Sequence, residues 1–383
     1  MNNKIPYAYI ENGKFIYSLS EMERLFEFKQ EMENCDQGVK WHKEGNVWIH
    51  TMMVMDNLLN SQEFKDMSPE DQFIMFYATL LHDVGKPSTS EVEADGNITA
   101  KKHSMVGAQM TRWFFIENPI IDFKTREQIT NLVYLHMTPP RLIERKDPQR
   151  AIIKSSFSVR NDLLHLLSVC DTKGRISEND AEDKRTSLEK LALYKEYAVE
   201  NDCYTNEFKF ANSLARFAYF VNNKDYVILD QRAWYDQPTP KGTAVLMSGV
   251  PGVGKDWTIK NYYSNYTMIG LDNTRQLLGV KHGEAEGEVS QKTIEMAKEL
   301  LRNGTSFVMN CTNTHKLSRE KWIKLFDDYD FATKIHYVER PLSKILNQNK
   351  NREAVVPEEY ILKKLKRIDM PLKTECHEIQ YDA

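Results

Sequence analysis

Residues 243–256 read TAVLMSGVPGVGKD, an apolar run followed by a glycine-rich turn that ends in a lysine and an aspartate. The apolar run at 243–247 predicts a buried strand, and the segment after Lys255 predicts a helix. Further strand-like runs at 267–271, 306–309 and 333–338 alternate with helical segments. This alternation is typical of an α/β domain built on a parallel sheet.

The glycine-rich turn has the Gly-x-x-x-x-Gly-Lys spacing of a phosphate-binding loop. Its glycines let backbone N–H groups point at phosphate oxygens, the helix that follows adds partial positive charge, and Lys255 reaches the outer phosphates. We therefore expect ATP or another nucleoside triphosphate to bind here with Mg²⁺; a simple glycine turn is the alternative. The residues expected to form this site are Gly249, Pro251, Gly252, Val253, Gly254, Lys255 and Asp256.

Asp256 occupies the position at which such a loop usually has Ser or Thr. A carboxylate can hold Mg²⁺ directly or through water, so Asp256 is also a predicted metal ligand. Its negative charge faces the same phosphates as the metal does. The substitution therefore changes the expected metal geometry but not the prediction that a nucleotide binds.

The N-terminal half of the chain has a different pattern. From residue 22 to about residue 220 the apolar residues repeat mostly at helical spacing. Helices predicted at 71–82 and 127–136 stop at Gly and Pro residues, and a charged helix is predicted at 180–199. The expected fold is therefore multidomain, an all-α bundle followed by the α/β domain.

Six side chains of the N-terminal half, at predicted helix ends or inward faces, are of types that bind metals. Imidazole nitrogen and carboxylate oxygen suit divalent ions, and one carboxylate can bridge two of them. A single histidine on an apolar face is more often a core residue, but six such groups together predict a metal site inside a bundle. They are His50, His82, Asp83, His103, His136 and Asp171, whereas His42 and His165 are expected to be ordinary, partly exposed histidines.

Length and composition limit the class of protein. The 383 residues exceed one ordinary core, so we expect two domains, 1–237 (core about 20–220) and 238–383, joined near QPTPKG at 237–242. A net charge of −4 means that a polyanion would need a local basic surface. The sequence has no secretory signal, membrane-length apolar run or paired cysteine motif, so a cytoplasmic protein without membrane contact is expected.

The ligand pattern resembles the HD domain of bacterial CCA-adding tRNA nucleotidyltransferases. The resemblance is carried by WHKEGNVWIHT at 41–51, LHDVGKP at 81–87 and CDTKGR at 170–175, with His103 and His136 in the same order along the chain. The nucleotidyltransferase part of that family is missing, so CCA addition is not implied.

This resemblance implies a phosphohydrolase centre that contains Asp83 and binds one or two divalent ions such as Mn²⁺, Co²⁺, Ni²⁺ or Zn²⁺. Lys86 would contact a substrate phosphate. One metal would be held by His50, His82, Asp83 and Asp171, and a second by His103 and His136 with Asp83 between the two.

The α/β half also needs a group that positions or deprotonates an acceptor. Asp272 follows the run at 267–271 and precedes Arg275 by one helical turn; a helix N-cap with a helical arginine is the alternative. Asn310 and Asn313 follow the run at 306–309, and polar residues at that edge of a parallel sheet face a ligand crevice. Arg352 ends a basic stretch, and an arginine in this position can fold over a transferring phosphoryl group. The alternative is that the stretch is only a solvated, charged face.

These residues resemble polynucleotide 5′-kinases of the phage and bacterial end-healing type. By resemblance, Asp272 is the general base for a 5′-hydroxyl, Arg275 binds a neighbouring phosphate and Arg352 is a lid arginine. The order of domains is similar to the bifunctional HD-domain polynucleotide kinases, which heal both ends of broken RNA or DNA. The resemblance therefore implies RNA or DNA ends and a triphosphate as substrates, and a separate nucleic-acid ligase as functional partner.

Two other interpretations stay open at the level of sequence. One is a nucleotide phosphohydrolase fused to a small-molecule kinase for a nucleoside or metabolite, which shares all of the phosphate chemistry. The other is a nucleotide sensor without catalysis, against which the full set of metal-ligand types argues.

Overall fold

The computed structural model describes residues 7–222, 238–352 and 355–383. The chain forms two compact units, Met1–Phe208 and Lys209–Ala383. Residues 209–222 belong to the second unit because Arg216 donates hydrogen bonds to the carbonyls of Cys376 and His377, and Phe217 stacks on the His377 ring at 3.8 Å. The domain limit at 237/238 stays a prediction, and the proposed linker begins at Gln237, outside the described residues.

The first unit is a helical bundle with two short antiparallel hairpins, which the sequence analysis did not predict. The helices expected at 71–82, 127–136 and 180–199 are confirmed as α5, α7 and α10. The hairpins pair β1 (Ala8–Glu11) with β2 (Lys14–Tyr17), and β3 (Ser90–Val92) with β4 (Ile98–Ala100). The helices are α1 (Leu19–Leu25), α2 (Lys29–Glu33), α3 (Val47–Asn60), α4 (Gln62–Lys65), α5 (Pro69–Leu81), α6 (His103–Glu117), α7 (Phe123–Leu135), α8 (Pro148–Ser156), α9 (Asn161–Gly174) and α10 (Asp180–Glu200), with a 3₁₀ segment at Pro139–Glu144.

Local capping fixes where the ligand-bearing helices begin. The Asn46 side chain accepts a hydrogen bond from the Ile49 N–H at 2.9 Å and starts α3. Asp122 accepts from the Thr125 N–H at 2.9 Å and starts α7, and Ser68 caps α5 in the same way. A cap of this kind contributes about 1 kcal/mol and sets the register in which the helix presents its side chains.

The second unit is an α/β domain whose five described strands form one parallel sheet in the order β6-β7-β5-β8-β9. The four predicted strands are confirmed, and β9 was not predicted. The strands are β5 (Gly242–Ser248), β6 (Thr267–Ile269), β7 (Phe307–Met309), β8 (Phe331–Val338) and β9 (Glu378–Asp382). The helices are α11 (Ser213–Phe217), α12 (Lys255–Tyr262), α13 (Leu271–Leu278), α14 (Glu286–Arg302), α15 (Lys316–Asp327), α16 (Leu342–Lys350) and α17 (Glu358–Lys366), with a π-helical turn at Ala218–Asn222 and a 3₁₀ turn at Lys373–Glu375.

The central strand β5 places the glycine-rich turn in the middle of the carboxyl edge of the sheet. Its residues from Ala244 to Ser248 are buried, and it pairs with β7 on one side and β8 on the other. Ligands of open parallel sheets bind at this edge. Among the helices that the structure describes, none has both the length and the hydropathy of a membrane span.

Candidate active sites

The six predicted metal-type side chains of the first unit converge, although they come from five separate helices. His82 and His136 are the C-terminal caps of α5 and α7, and Asp83 follows His82 directly. His50 lies in the first turn of α3, His103 opens α6, and Asp171 lies in the last turn of α9. Helix ends therefore supply most of the site, since a side chain at an end can point along the bundle axis.

Asp83 is at the centre of this cluster and faces two imidazole pairs with its two oxygens. Its Oδ2 lies 3.2 Å from His82 Nε2 and 3.6 Å from His50 Nε2. Its Oδ1 lies 3.5 Å from His103 Nε2 and 3.8 Å from His136 Nε2. The structure therefore forms two neighbouring ligand sets that share one carboxylate, an arrangement that can bridge two cations.

Asp171 joins the first of these sets. Its Oδ1 lies 3.1 Å from His50 Nε2, and its side chain is 17% exposed, more than that of Asp83. On the other side, His103 Nε2 lies 3.2 Å from His136 Nε2. The ligand atoms are thus close enough for one ion on each side of Asp83.

Backbone carbonyls fix the orientation of three of the four imidazoles. A carbonyl only accepts, so each ring must carry its hydrogen on Nδ1 and leave Nε2 free to bind a cation. In these three bonds, His82 Nδ1 donates to the Thr79 carbonyl at 2.8 Å, His103 Nδ1 to the Ala100 carbonyl at 2.8 Å, and His136 Nδ1 to the Val133 carbonyl at 2.7 Å.

The charge states of Asp83, His103 and His136 favour a cation. Burial alone would raise the pKa of Asp83, but Lys86 and His82 outweigh it and hold that pKa well below its usual range. Burial lowers the pKa of His136 to about 3 and also lowers that of His103, so both rings are neutral near pH 7. An ionised carboxylate beside neutral imidazoles is the donor set that divalent metals bind.

Buried polar atoms without hydrogen-bond partners also indicate a cation site. His82 Nε2 and Asp83 Oδ1 are buried and have no hydrogen-bond partner within the described residues. A buried polar atom without a partner costs about 1–3 kcal/mol, and a bound cation would satisfy both atoms. The residues present therefore fit one or two divalent cations.

Gly85 allows the two ligand-bearing segments to approach each other. A Cβ atom at this position would collide with the His103 carbonyl oxygen and lie 2.6 Å from the Gly107 nitrogen. The glycine therefore lets the start of α6 pack on the turn after Asp83, which places His103 on its side of the carboxylate.

Glu44 and Gln37 belong to the site but were not predicted. Glu44 Oε1 lies 2.9 Å from His50 Nδ1 and 2.8 Å from His42 Nδ1, and Glu44 Oε2 accepts from the Ile176 N–H at 2.9 Å. The His42 side chain is only 16% exposed and packs against His50 with ring centroids 4.9 Å apart. The WHKEGNVWIH stretch held the signal, since it contains both His42 and Glu44 upstream of His50.

Lys86 contributes an ammonium group to this site. Its Nζ lies 2.7 Å from Asp83 Oδ2 and donates to Gln37 Oε1 at 2.7 Å. The lysine predicted to contact a substrate phosphate thus lies at the edge of the ligand cluster.

In the second unit, the glycine-rich turn adopts the geometry of a phosphate cradle. Gly249, Gly252 and Gly254 have φ values of 150°, 81° and 97°, which favour glycine. A Cβ at Gly249 would also lie 2.6 Å from the Val338 carbonyl oxygen. Lys255 opens α12, so the helix N-terminus and the turn face the same space.

Lys255 folds back onto this turn. Its Nζ donates to the carbonyls of Gly249 and Val250, both at 3.1 Å. Burial lowers the pKa of Lys255 to about 8, with Asp256 opposing that shift. The ammonium is therefore poised inside the turn, where a phosphate oxygen can replace the two carbonyls.

Most of the predicted kinase-side residues line one pocket of about 1290 Å³. Its walls come from the glycine-rich turn, the starts of α12 and α13, the segment after β7, and the region around α16 and α17. Gly249 and Val253 are not in its lining. The predicted residues that line it are Pro251, Gly252, Gly254, Lys255, Asp256, Asp272, Arg275, Asn310, Asn313 and Arg352.

Asp256 and Asn310 form one contact across the pocket floor. The Asn310 side-chain amide donates to Asp256 Oδ1 at 2.6 Å. Asn310 follows β7, so the end of the neighbouring strand orients the carboxylate that replaces the usual hydroxyl. A carboxylate held beside the phosphate cradle fits Mg²⁺.

Asp272 and Arg275 are paired with each other. Asp272 is 85% exposed, and its Oδ1 lies 2.6 Å from Arg275 Nη1. Arg275 also donates through Nε and Nη2 to Glu286 at 3.2 and 2.7 Å, which lowers the pKa of Glu286 to about 2. The contact with Glu286 was not predicted. Because Glu286 occupies two nitrogens of the Arg275 guanidinium, fewer N–H donors are left for a ligand.

Asn313 is a structural residue as much as a lining residue. It is buried, its amide donates to the Met247 carbonyl at 2.9 Å, and its own carbonyl accepts from Ser248 Oγ at 3.1 Å. These bonds tie the segment after β7 to the end of β5. The predicted role of Asn313 in binding substrate stays a prediction.

Comparison with known families agrees with the two sites. Residues 47–156 match the family model of the HD domain, and residues 245–371 match that of an AAA domain. The chain contains an HD domain followed by a P-loop kinase domain of the AAA type. The predicted combination and order of the two domains is therefore confirmed.

The other comparisons are distant. No curated protein sequence matches the chain. A chain of a solved Pnkp1/Rnl/Hen1 complex is 16% identical, with a TM-score of 0.27; the match covers 32% of this chain and 43%, less than half, of that chain. A gluconokinase from Sinorhizobium meliloti 1021 is 14% identical, with a TM-score of 0.27, over 38% of this chain and 85% of that chain.

Proposed function

We propose that this protein heals the ends of broken nucleic acid, RNA in the first place. The AAA domain phosphorylates 5′-hydroxyl ends at the expense of a nucleoside triphosphate. The HD domain opens 2′,3′-cyclic phosphates and removes the resulting 2′- or 3′-phosphate. The observation that carries the proposal is the pocket in which Lys255, Asp272 and Arg352 meet, in a chain that also has the shared-carboxylate cluster around Asp83.

In the HD domain, His50, His82, Asp83 and Asp171 would hold one cation, and His103 and His136, with Asp83, a second. Such cations lower the pKa of water and neutralise charge on phosphoryl oxygens. Lys86 lies beside Asp83 and would bind the non-bridging oxygens of the substrate. Water adds to phosphorus, a ribose oxygen leaves and takes a proton, and a second hydrolysis releases inorganic phosphate.

In the AAA domain, the acceptor 5′-hydroxyl gives its proton to Asp272 while its oxygen attacks the γ-phosphorus. The bond from that phosphorus to the β-γ bridging oxygen breaks, and the nucleoside diphosphate leaves. Lys255 exchanges its two carbonyl partners for phosphate oxygens, and Arg352 closes over the transferred group. Arg275 orients Asp272 and offers its remaining donors to an acceptor phosphate.

Two opposite reactions on phosphate esters fit one chain when their substrates are the two ends of one break. Each reaction then produces an end that a separate ligase requires, a 3′-hydroxyl or a 5′-phosphate. A small-molecule kinase fused to a nucleotide phosphohydrolase is the alternative. The pairing of Arg275 with Glu286 favours this alternative, because it leaves the arginine fewer donors for the phosphate of a polynucleotide.

The deciding experiment offers γ-labelled ATP, Mg²⁺ and Mn²⁺ with an oligoribonucleotide that has a 5′-hydroxyl and a 2′,3′-cyclic phosphate. We expect label at the 5′ end and loss of the cyclic phosphate from the 3′ end. A free nucleoside serves as the competing acceptor. Preferential labelling of the nucleoside, or an unchanged 3′ end with every metal, would refute the corresponding half of the proposal.

A further inference from the structure

The pocket of the AAA domain continues well beyond the phosphate cradle. Ser290, Ile294 and Lys298 lie four residues apart along α14, and all of them line it. The lining also includes Ser318, Lys321, Trp322 and Leu325 of α15, again at the spacing of one helical face. One face of each helix therefore forms an arm of the pocket, which we name the α14–α15 groove.

The size of the pocket exceeds what a triphosphate and a small acceptor need. Small-molecule pockets are roughly 300–1,000 Å³, whereas this pocket measures about 1290 Å³. From Glu286, which binds Arg275, to Lys298 the helix rises by about 18 Å at 1.5 Å per residue. A stacked strand rises by roughly 3.4 Å per nucleotide along its axis, so this length corresponds to about five nucleotides.

The charge of the lining is strongly unequal. Among the described residues of the lining, the carboxylates are Asp256 and Asp272, both at the catalytic end. The cationic and imidazole side chains of the lining outnumber these carboxylates, and they are Lys255, Arg275, His282, Lys298, His315, Lys321, Arg352 and Lys364. A concave surface with this distribution attracts a polyanion.

Lys298 and Lys321 are the cations of the groove itself. Within the part of the chain that the structure describes, neither has a carboxylate within the 4.0 Å of an ion pair. By contrast Lys292 and Lys324, on the same helices but outside the lining, lie 4.0 and 3.0 Å from Glu295 and Asp328. The lysines that face the groove are the ones left without a protein partner.

Trp322, which follows Lys321 in the chain, adds an aromatic surface to the lining. It is partly buried against the core and stacks on Phe326 with ring centroids 6.2 Å apart, which holds the indole in place. Fixed aromatic rings with interspersed cations are the means by which single strands are bound without sequence preference.

We infer that the α14–α15 groove binds the single-stranded body of the acceptor polynucleotide, several nucleotides downstream of the 5′-hydroxyl. Lys298 and Lys321 bind its phosphates, and Trp322 stacks on a base. The inference rests on the proposed 5′-kinase activity and adds to it a requirement for length. A long acceptor gains contacts that a dinucleotide cannot reach.

The test compares a dinucleotide and a dodecanucleotide, both with 5′-hydroxyls, as kinase acceptors for the full chain. For the unmodified protein we expect the dodecanucleotide to have at least about a 10-fold higher kcat/KM, in line with stacking and phosphate contacts. In Lys298→Ala/Lys321→Ala this length ratio should fall about 10-fold. Fluorescence polarisation of the labelled dodecanucleotide should show weaker binding, with a salt dependence shallower by about 1.4 for two lost phosphate contacts at ~0.7 each.

Lys292→Ala/Lys324→Ala is the matched control, because it removes the same charge from the same helices outside the groove. It should keep the length ratio and the salt dependence of the unmodified protein. If both acceptors are phosphorylated equally well and the Lys298/Lys321 variant behaves like the control, the groove inference is wrong while the 5′-kinase stands. If neither oligonucleotide is phosphorylated, the proposed function itself fails.

Discussion

Glu44 Oε1 lies 2.9 Å from His50 Nδ1, on the ring nitrogen opposite the one that faces Asp83 and Asp171. Burial would lower the pKa of His50, but the hydrogen bonds of Asp171 and Glu44 raise it to about 9. Glu44 is itself fixed by the Ile176 N–H. A carboxylate behind a metal-binding imidazole sets the direction and basicity of that ring.

Glu44→Gln should therefore weaken metal binding without emptying the site. Loss of such a supporting carboxylate typically costs about 10–100-fold in metal affinity. Competition with a metal indicator measures this directly, and kinase activity in the same preparation reports that the second unit is intact. An unchanged metal affinity would show that Glu44 supports only the local fold.

Asp83→Asn should have a larger effect, because it removes the charge that both ligand sets share. Elemental analysis should find less than one metal ion per chain. The rate of 3′-end processing should fall by more than about 100-fold, as it does when an active site loses an electrostatic contact. Phosphorylation of 5′-hydroxyl ends should persist. Loss of both activities from this single change would contradict two independent sites.

Lys255→Ala is the reciprocal variant. The ammonium lies inside the glycine-rich turn, and the substitution removes the cation that is expected to contact the outer phosphates. The 5′-kinase kcat/KM should fall by at least about 100-fold, while metal content and 3′-end processing stay as they are. Kinase activity that survives the substitution would place nucleotide binding elsewhere.

Gly85→Ala tests the close approach of α6 to the turn after Asp83. The added Cβ would meet backbone atoms of His103 and Gly107, which cannot move as a side-chain tip can. Overpacking of this kind costs about 1–3 kcal/mol, measurable as a lower denaturant midpoint of the first unit. Gly287→Ala in α14 of the second unit, where a Cβ meets nothing within 4 Å, is a control for the glycine substitution itself and should leave the denaturant midpoint of that unit unchanged.

Glu127 provides a prediction for acid stability. It is buried and receives Arg112 Nη2 at 2.8 Å and Arg126 Nε at 2.9 Å. Burial raises its pKa, but the two guanidinium groups prevail and lower it from 4.5. A carboxylate with a lowered pKa in the folded state contributes stability above pH 4.5, and that stability is lost as the pH falls through the lower folded value.

Glu127→Gln should accordingly destabilise the first unit by about 3–5 kcal/mol near pH 6, since it removes the charged carboxylate that the buried Arg112 and Arg126 guanidinium groups contact. The difference from the unmodified protein should narrow toward pH 3. Urea unfolding at both pH values gives the comparison, and a difference independent of pH would exclude the proposed charge state.

The sequence analysis succeeded where the decisive signal is local. The turn around Lys255 and the His82-Asp83 pair at a helix stop are each encoded within a few residues, and both lie where they were predicted. β9 was missed because EIQYD at 378–382, although it alternates between polar and apolar residues, is only five residues long and has no turn signals around it. It becomes a strand because β8 offers a parallel partner, a contact distant in sequence.

Pairings between distant segments were beyond the reach of pattern analysis. Glu286 lies in a different helix from Arg275, and no spacing rule connects them. Glu44 depends on Ile176, far along the chain, for its orientation. Such contacts follow from packing, so the side chains that converge around Asp83 were predictable and the residues that orient them were not.

The central position of Asp83 has a consequence for how the HD domain takes up metal. One carboxylate carries a single negative charge, yet its two oxygens serve two imidazole pairs. Two dications at neighbouring positions repel each other and are stabilised by the same carboxylate charge, so a metal ion at one position lowers the affinity of the other position for metal. Metal titration should accordingly show two unequal affinities, with a half-loaded form predominating when metal is scarce.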